Sequence, residues 1–296
     1  MSENDMLVKA LTKDQNFRVF ALNATETIKQ SQKNHQMTST TTAALGRTLI
    51  ASLLLANSAL KGKESMTVRL NGQGPVGGMI VDADAHGHVK GYVQHANVSL
   101  PKTVDDKIDV AGAVGKDGFL EVLKNQGGAQ PYTSNVPLVN GKIGDDFAYY
   151  LAKSEQIPSA IGVGVDFNKD NQVKVAGGYL IQTMPGAADD AIEKLEIKLK
   201  KLPSISTMLG ENPNPEYILD VLFGKDKLDI VEHLPVSFEC NCSKEKFAKS
   251  IASIGEKDLQ QIIDEDHGAE VVCNFCGKQY NFSEDDLVKI MDEKEK

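Results

Sequence analysis

The sequence predicts an α+β protein, with an N-terminal α/β domain rich in antiparallel hairpins, a helical connector and a small C-terminal domain. Short alternating strands separated by turn residues recur through residues 1–182, which indicates hairpins. Residues 183–235 replace this alternation with helical spacing and helix caps. Residues 236–296 hold all four cysteines as two close pairs, so we divide the chain into these three parts.

Length and composition are those of an ordinary globular protein. The 296 residues are 41% hydrophobic and 25% charged, enough for about two domains with a core. The net charge of −9 argues against binding to nucleic acid or to an anionic membrane. The most apolar run, Leu49–Leu60, is shorter than the roughly 20 residues of a membrane span. The acidic N-terminus is not a signal peptide, so we expect a cytoplasmic protein with reduced thiols.

The first domain opens with a predicted hairpin and a long helix. Residues 6–22 alternate on both sides of a polar turn. The helix runs from Thr38 to Leu60, with a hydroxyl-rich start suited to capping and one apolar face, and Gly62 ends it. Arg47 on this helix is expected to be a solvated or hydrogen-bonded surface group.

Two short motifs in this domain resemble ligand-binding loops, and both are predicted to be turns. Gly72–Gly77 matches the G-x-G-x-x-G pattern of dinucleotide-binding proteins, but that pattern requires a helix next, and β-branched residues follow here. A second segment resembles the start of a calcium-binding loop through Asp166, Asn168 and Asp170. The glycine and the glutamate that such a loop requires further along are absent from this sequence. The strands predicted around these turns cover 66–70, 79–81, 89–93, 119–123, 160–167 and 173–182, with a helix over 145–156.

Residues 187–223 are predicted to form short helices that connect the two domains. Ala188, Ile192, Leu195 and Leu199 share one apolar stripe, which indicates packing on the first domain. From the pattern alone, a separable connector and a permanent part of the core are equally compatible with these helices.

The C-terminal domain is organised around its four cysteines. One residue separates Cys240 from Cys242, two separate Cys273 from Cys276, and thirty lie between the pairs (273 − 242 − 1 = 30). Cys-x-x-Cys-Gly between two predicted strands is typical of a zinc knuckle, whose turn directs both thiolates at one metal ion. Because the two pairs together complete a tetrahedral set of soft ligands, we predict one zinc ion bound by these residues.

Other interpretations of this domain stay open. If the zinc ion is a permanent structural cross-link, the protein would be a regulatory or interaction module. A thioredoxin-like oxidoreductase needs Cys-x-x-Cys at the start of a helix, whereas strands flank this motif. His233 and His267 are expected to be surface groups, because four thiolates fill the metal shell and leave no position for hydrolysis. We expect no enzyme, and the charge of residues 236–296 (8 basic − 14 acidic = −6) disfavours a phosphate-binding zinc ribbon.

The same four sulfurs make the domain sensitive to oxidants. Zinc keeps them as thiolates, which is the form that oxidants attack, and a disulfide is a poor metal ligand. Structural zinc contributes about 10–16 kcal/mol to folding, which exceeds the net stability expected of a domain this small. Loss of zinc is therefore expected to unfold the domain.

Three stretches of the sequence resemble one family. They are the Cys-x-Cys and Cys-x-x-Cys pairs, the segment Ala176–Ala187, and the hairpin from Leu70 to Gly78. Together they resemble the bacterial redox-regulated heat-shock chaperones, the 33 kDa chaperonin family, over essentially the whole chain.

The resemblance implies a chaperone that holds unfolding proteins without ATP. In this family the reduced, zinc-bound form is inactive. Oxidants together with heat pair Cys240 with Cys242 and Cys273 with Cys276, and zinc is lost. The zinc domain and the connector then unfold, the protein dimerises, and apolar surface holds unfolded client proteins. Reduction returns the inactive fold and passes the clients to ATP-dependent chaperones.

Overall fold

The computed structural model of the chain describes residues 5–128 and 130–294. The strands in these residues are β1 Met6–Thr12, β2 Phe17–Asn23, β3 Ser65–Gln73, β4 Met79–Asp84, β5 His88–Val93, β6 Gly115–Asn125, β7 Tyr132–Pro137, β8 Ser159–Phe167, β9 Val173–Thr183, β10 Leu228–Pro235, β11 Ser237–Phe238, β12 Gly268–Val272 and β13 Gln279–Ser283. The helices are α1 Thr25–His35, α2 Ser39–Ala59, α3 Val110–Val114, α4 Ile143–Ser154, α5 Asp189–Leu199, α6 Ile205–Glu211, α7 Glu216–Phe223, α8 Lys244–Ile251, α9 Glu256–Asp266 and α10 Glu284–Lys294.

Two mainly antiparallel sheets form the frame of the N-terminal part. One has the strand order β10-β1-β2-β9-β8, and the other has the order β11-β5-β4-β3-β6-β7. Hairpins predicted from the sequence supply neighbouring strands in both sheets, namely β1–β2, β3–β4 and β8–β9. The predicted α+β class is confirmed.

Helix α2 lies at the centre of this part and packs against strands of both sheets. Almost every residue from Thr40 to Asn57 is buried, so the prediction of a single apolar face is wrong. Burial of polar residues on this helix is offset in part by hydroxyls that bond to its own backbone, as Thr48 does to the carbonyl of Ala44 at 2.9 Å. Thr38 caps the helix as predicted, since its side chain accepts the backbone N–H of Thr41.

Both loops that resemble ligand-binding motifs are hairpin turns, as predicted. The glycine-rich segment joins β3 to β4, and the backbone N–H of Gly74 donates to the carbonyl of Val114 at 2.9 Å. A Cβ atom at Gly74 would lie 2.4 Å from the carbonyl carbon of Val114, so the glycine permits close backbone contact. The calcium-like segment joins β8 to β9 and closes through the N–H of Asn168, which donates to the carbonyl of Gln172.

Helices α6 and α7 pack on the five-stranded sheet, while α5 buries no residue completely. An apolar cluster joins these helices to the sheet and contains Val8, Ala10, Phe17, Val19, Ala21, Val175, Ile181, Ile205, Met208, Leu209, Ile218, Leu219 and Leu222. The predicted helical connector includes residues 228–235 as its last part. In the structure these residues instead form the edge strand β10, which pairs with β1. Most of β10 is exposed, so it lacks the apolar alternation that would have indicated a strand.

The chain divides into two compact units, the first ending at Glu239 and the second beginning at Cys240. Separation of the first unit into residues 1–182 and 183–235 stays a prediction. The second unit has a small core of its own, formed by Ile251, Leu259, Ile263, Tyr280, Phe282 and Leu287. Among the described residues, no helix is both long and apolar enough to cross a membrane.

Candidate metal centre

The structure brings all four predicted cysteines together in the second unit. Their Sγ atoms lie within 4.8 Å of one another. The sulfurs of Cys240 and Cys273 are 3.7 Å apart, and those of Cys242 and Cys276 are 3.4 Å apart. Zinc–sulfur bonds of about 2.3 Å place the sulfurs of a tetrahedral site about 3.8 Å apart. The spacing and the donor set therefore fit one tetrahedral metal ion.

The second cysteine pair lies in the turn between β12 and β13. The N–H of Gly277 donates to the carbonyl of Cys273 at 2.8 Å, and the N–H of Cys273 donates to the carbonyl of Lys278 at 2.9 Å. Gly277 has φ of 72°, a left-handed conformation that glycine adopts without steric cost. These bonds close the tight turn that the sequence predicted and hold Cys273 and Cys276 on the same side of it.

The first cysteine pair lies between β11 and α8, and Tyr280 of β13 holds it in place. Ser243 caps α8 directly after Cys242. The hydroxyl of Tyr280 is 3.0 Å from the carbonyl of Cys242 and 3.2 Å from its sulfur, and can donate to either. The Tyr280 ring packs against Phe247 of α8, with ring centroids 5.1 Å apart.

Tyr280 is a residue of this site that sequence reasoning missed. In the sequence, Tyr280 falls at the end of the strand predicted after the Cys-x-x-Cys-Gly turn, and no role is assigned to it. The signal that could have identified it is the alternation of β13, where Tyr280 and Phe282 are buried between exposed neighbours. A buried tyrosine hydroxyl requires a hydrogen-bond partner, and the cysteines lie at that end of the strand.

The thiols of Cys240, Cys242 and Cys276 differ in how readily they lose a proton. Burial raises the pKa of Cys240 to about 12 and raises the pKa of Cys276. Burial acts in the same direction on Cys242, but hydrogen bonds from Tyr280 and the neighbouring thiols outweigh it and lower the pKa of Cys242 to about 7. Cys242 therefore loses its proton more readily than Cys240 and Cys276, and a bound cation favours the thiolate form of all four cysteines.

Reactivity also depends on access to the sulfurs. Cys273 is buried, with 4% of its surface exposed, whereas the other three cysteines are half-buried. All four are free thiols, and the predicted partners Cys240–Cys242 and Cys273–Cys276 are within 4.8 Å, sulfur to sulfur. Three of the four cysteine residues are therefore partly exposed to solvent, where small oxidants are found.

Neither nearby histidine belongs to the cysteine group. His233 pairs with Glu216, with 2.5 Å between Nε2 and Oε1. His267 pairs with Glu284, with 3.1 Å between Nδ1 and Oε2, and it is largely exposed. Within the described residues, the grouped ligand atoms are cysteine sulfurs only. This agrees with the expectation that the histidines are surface groups.

Known proteins match the chain along nearly its whole length. The family model described as Hsp33 protein matches residues 5–283. The 33 kDa chaperonin of Levilactobacillus brevis is 55% identical over 98% of both chains, and that of Enterococcus faecalis is 47% identical over 98% of this chain and 97% of its own. The crystal structure of the 33 kDa chaperonin (heat shock protein 33 homolog) of Thermotoga maritima matches with a TM-score of 0.91 at 34% identity, covering 99% of each chain. The chain therefore belongs to the Hsp33 family of 33 kDa chaperonins.

Proposed function

We propose that the protein is a redox-regulated chaperone that holds unfolding proteins without ATP and is inactive while reduced and zinc-bound. A chaperone function is supported by the family and by the relatives' name, chaperonin. Redox control is supported by one observation above the others. Four cysteine sulfurs meet in one group, three of the four residues are partly exposed, and the unit that holds them has only a small apolar core.

In the reduced state, Cys240, Cys242, Cys273 and Cys276 would hold one zinc ion as thiolates. The ion would cross-link the two cysteine pairs and would keep the sulfurs deprotonated. Tyr280 would orient Cys242 through the hydrogen bond of its hydroxyl. The six-residue core of this unit is too small to replace that cross-link.

Oxidation would act on the sulfurs directly. In each pair, two thiolates give up two electrons to hydrogen peroxide, which takes two protons from solvent, so that one disulfide and two water molecules form. We assign the disulfides to Cys240–Cys242 and Cys273–Cys276. A disulfide sulfur binds metal poorly, so each pairing removes two ligands and with them the main source of order in the unit.

Unfolding would then uncover apolar surface for clients. The second unit would release its own core, and the helical connector would expose the cluster that α6 and α7 share with β1, β2 and β9. Unfolded client proteins present apolar segments of the same kind, and burial of both surfaces drives their association. The oxidised protein is further proposed to form a homodimer and to pass clients to ATP-dependent chaperones after reduction.

The proposed setting is the bacterial cytoplasm, where thiols stay reduced until an oxidant arrives. The net charge of −9 gives no basis for a nucleic acid or a membrane surface as partner. Unfolded proteins are therefore the proposed partners.

The test is suppression of light scattering by a client protein that aggregates on heating. Protein treated with hydrogen peroxide at raised temperature is expected to suppress scattering, and reduced zinc-loaded protein is expected not to. Reduced protein stripped by a chelator serves as a second arm, because it has lost the metal without forming disulfides. Equal suppression by the reduced and oxidised samples would refute redox control.

A zinc-stapled regulatory or interaction module is the alternative proposal. It predicts that oxidation releases zinc, measured with a chromogenic chelator, while scattering by the client is unchanged.

A further inference from the structure

A cavity of about 670 Å³ is lined entirely by residues of the first unit. Its walls come from the start of α2, the loop before α3, strand β8 and the junction of α5 with α6. Small-molecule sites in proteins have volumes of about 300–1,000 Å³, mostly apolar walls and a few convergent polar groups. The volume of this cavity falls within that range, and its lining combines polar and apolar side chains.

Arg47 of α2 lines the cavity and departs from its predicted surface role. It is half-buried, its Nε atom is buried without a hydrogen-bond partner, and it makes no ion pair within the described part of the chain. Burial lowers the pKa of Arg47 below its usual value, but a guanidinium stays protonated in proteins. A buried N–H donor without an acceptor lowers the stability of the fold, and an acceptor anion would remove that penalty.

Tyr179 of β9 adds a second unpartnered donor to the cavity wall. No described residue bonds to its hydroxyl, and burial raises the pKa of Tyr179, so the group remains a donor at neutral pH. Its ring lies over Gly162, where a Cβ atom would be 2.4 Å from the ring. The glycine thus permits the ring to form part of the wall.

The remaining charges around the cavity do not neutralise Arg47. Asp106 is paired with Lys102 at 2.9 Å. Asp166 lines the cavity but makes no ion pair with Arg47, and Lys107 is exposed. Arg47 and Asp166 are thus both half-buried and form no ion pair, and the buried Nε–H of Arg47 is left without an acceptor that one carboxylate of a monoanion could supply.

Apolar side chains make up much of the rest of the wall. Leu100, Ile108 and Val163 belong to the rim of the central core, and Leu202 and Ile205 belong to the cluster under the connector helices. The cavity thus lies where the two apolar clusters of the first unit meet. A ligand with an apolar body could bury that body against both clusters.

We propose that this cavity binds a small organic monocarboxylate, with its carboxylate on Arg47 and Tyr179 and its apolar body between the two clusters. A planar carboxylate accepts two parallel N–H bonds from a guanidinium, which is the strongest match to an unpaired arginine. Because Leu202 and Ile205 flank the α5–α6 junction, the bound ligand also stabilises the docking of that junction on the sheet.

The experiment is isothermal titration calorimetry of the reduced, zinc-loaded full chain with sodium octanoate below its micellar concentration. Octanoate is expected to bind at one site, while 1-octanol, which lacks the charge, and inorganic phosphate, which lacks the apolar body, bind at least tenfold more weakly. Arg47→Gln is expected to weaken octanoate binding tenfold or more, since it removes the charge-assisted pair. Arg69→Gln is the matched control, because Arg69 is an exposed arginine paired with Glu121 on β6.

Tyr179→Phe provides a milder variant that preserves the ring over Gly162, and it should weaken octanoate several-fold. Hydrogen exchange of the octanoate complex should show added protection over residues 199–206. The proposal is overturned if octanoate and octanol bind equally, if Arg47→Gln binds octanoate as the wild type does, or if no heat of binding is seen. Tight binding of phosphate without octanoate would overturn the assignment to an organic anion.

Discussion

Substitution of Tyr280 by phenylalanine gives a direct test of the metal centre. The change removes one hydroxyl and retains the ring, so the packing against Phe247 at 5.1 Å is preserved. What is lost is a donor 3.2 Å from the sulfur of Cys242. The hydroxyl keeps its proton, because its hydrogen bond to Cys242 raises the pKa of Tyr280. The variant therefore isolates one hydrogen bond to one proposed ligand.

The size of the effect follows from how that hydroxyl is shared. Loss of a hydrogen-bond partner of a metal ligand typically weakens metal binding by about 10–100-fold. The single proton of Tyr280 is divided between the sulfur of Cys242 and its carbonyl oxygen at 3.0 Å. We therefore expect the lower end of that range, a zinc affinity about tenfold weaker than wild type. Release of zinc by peroxide should also be faster, because the sulfur has lost a donor that lowers its electron density.

The assay is competition for zinc between the reduced full chain and a chromogenic chelator of known affinity. Tyr217→Phe is the matched control, since its hydroxyl bonds to Glu211 on the surface of the other unit. That control should leave the zinc affinity unchanged. An unchanged affinity in Tyr280→Phe would mean that the hydroxyl serves only the carbonyl, and our account of the site would be wrong.

Three further outcomes are expected. Chelation of the reduced protein should abolish amide protection across residues 240–294 and leave residues 5–128 protected, as measured by hydrogen exchange. Leu209→Ala should lower the stability of the first unit by about 2–5 kcal/mol in thermal unfolding, because Leu209 is buried against β9, whereas Ile197→Ala at an exposed site should not. Burial raises the pKa of Asp146, so its contribution to stability is complete below pH 3.8 and is lost as pH rises through the folded pKa. In urea unfolding, the stability of Asp146→Asn relative to wild type should therefore increase as pH rises above 3.8.

Local chemistry made part of this fold predictable from sequence. The hairpins β1–β2, β3–β4 and β8–β9 combine alternating strands with turn residues, and both signals lie within a few residues of each other. The cysteine turn is equally local, because Gly277 supplies the left-handed conformation directly after Cys276. Such elements are specified before any distant contact forms.

Helix α1 was not predicted, because its buried face is polar. Thr27, Ser31 and Gln32 are buried there, whereas hydrophobic periodicity detects apolar residues only. The buried amide of Gln32 has hydrogen-bond partners for both of its polar groups. Its NH2 group donates to the carbonyl of Asn171 at 2.8 Å, and its oxygen accepts the N–H of Val173 at 3.1 Å. These partners lie about 140 residues away in sequence, so no local pattern indicates them.

The position of Arg47 was misjudged for a related reason. On a helix packed against one sheet, a position opposite the apolar face would be exposed to solvent. Helix α2 instead packs against two sheets, so its opposite face is also enclosed. The number of sheets that cover a helix is a property of the tertiary fold, and the sequence of the helix does not encode it.

The pairing of the oxidised cysteines decides whether the proposed switch can work. Bound metal joins Cys240 and Cys242 to Cys273 and Cys276, and so closes a loop of thirty residues between the pairs. Disulfides within each pair would leave that loop open, whereas crossed disulfides between Cys240 and Cys273 and between Cys242 and Cys276 would keep it closed. The crossed sulfurs are 3.7 and 3.4 Å apart, so distance alone does not prevent crossing.

A crossed disulfide would restrain the unfolded chain by about 4 kcal/mol and would preserve the core around Tyr280. Oxidation would then replace one cross-link by another and leave the second unit folded. The proposed function therefore requires pairing within each motif, which exchanges a long-range cross-link for two local ones. Peptide mapping of the oxidised, active protein should recover Cys240–Cys242 and Cys273–Cys276, and recovery of crossed peptides from active protein would contradict the mechanism.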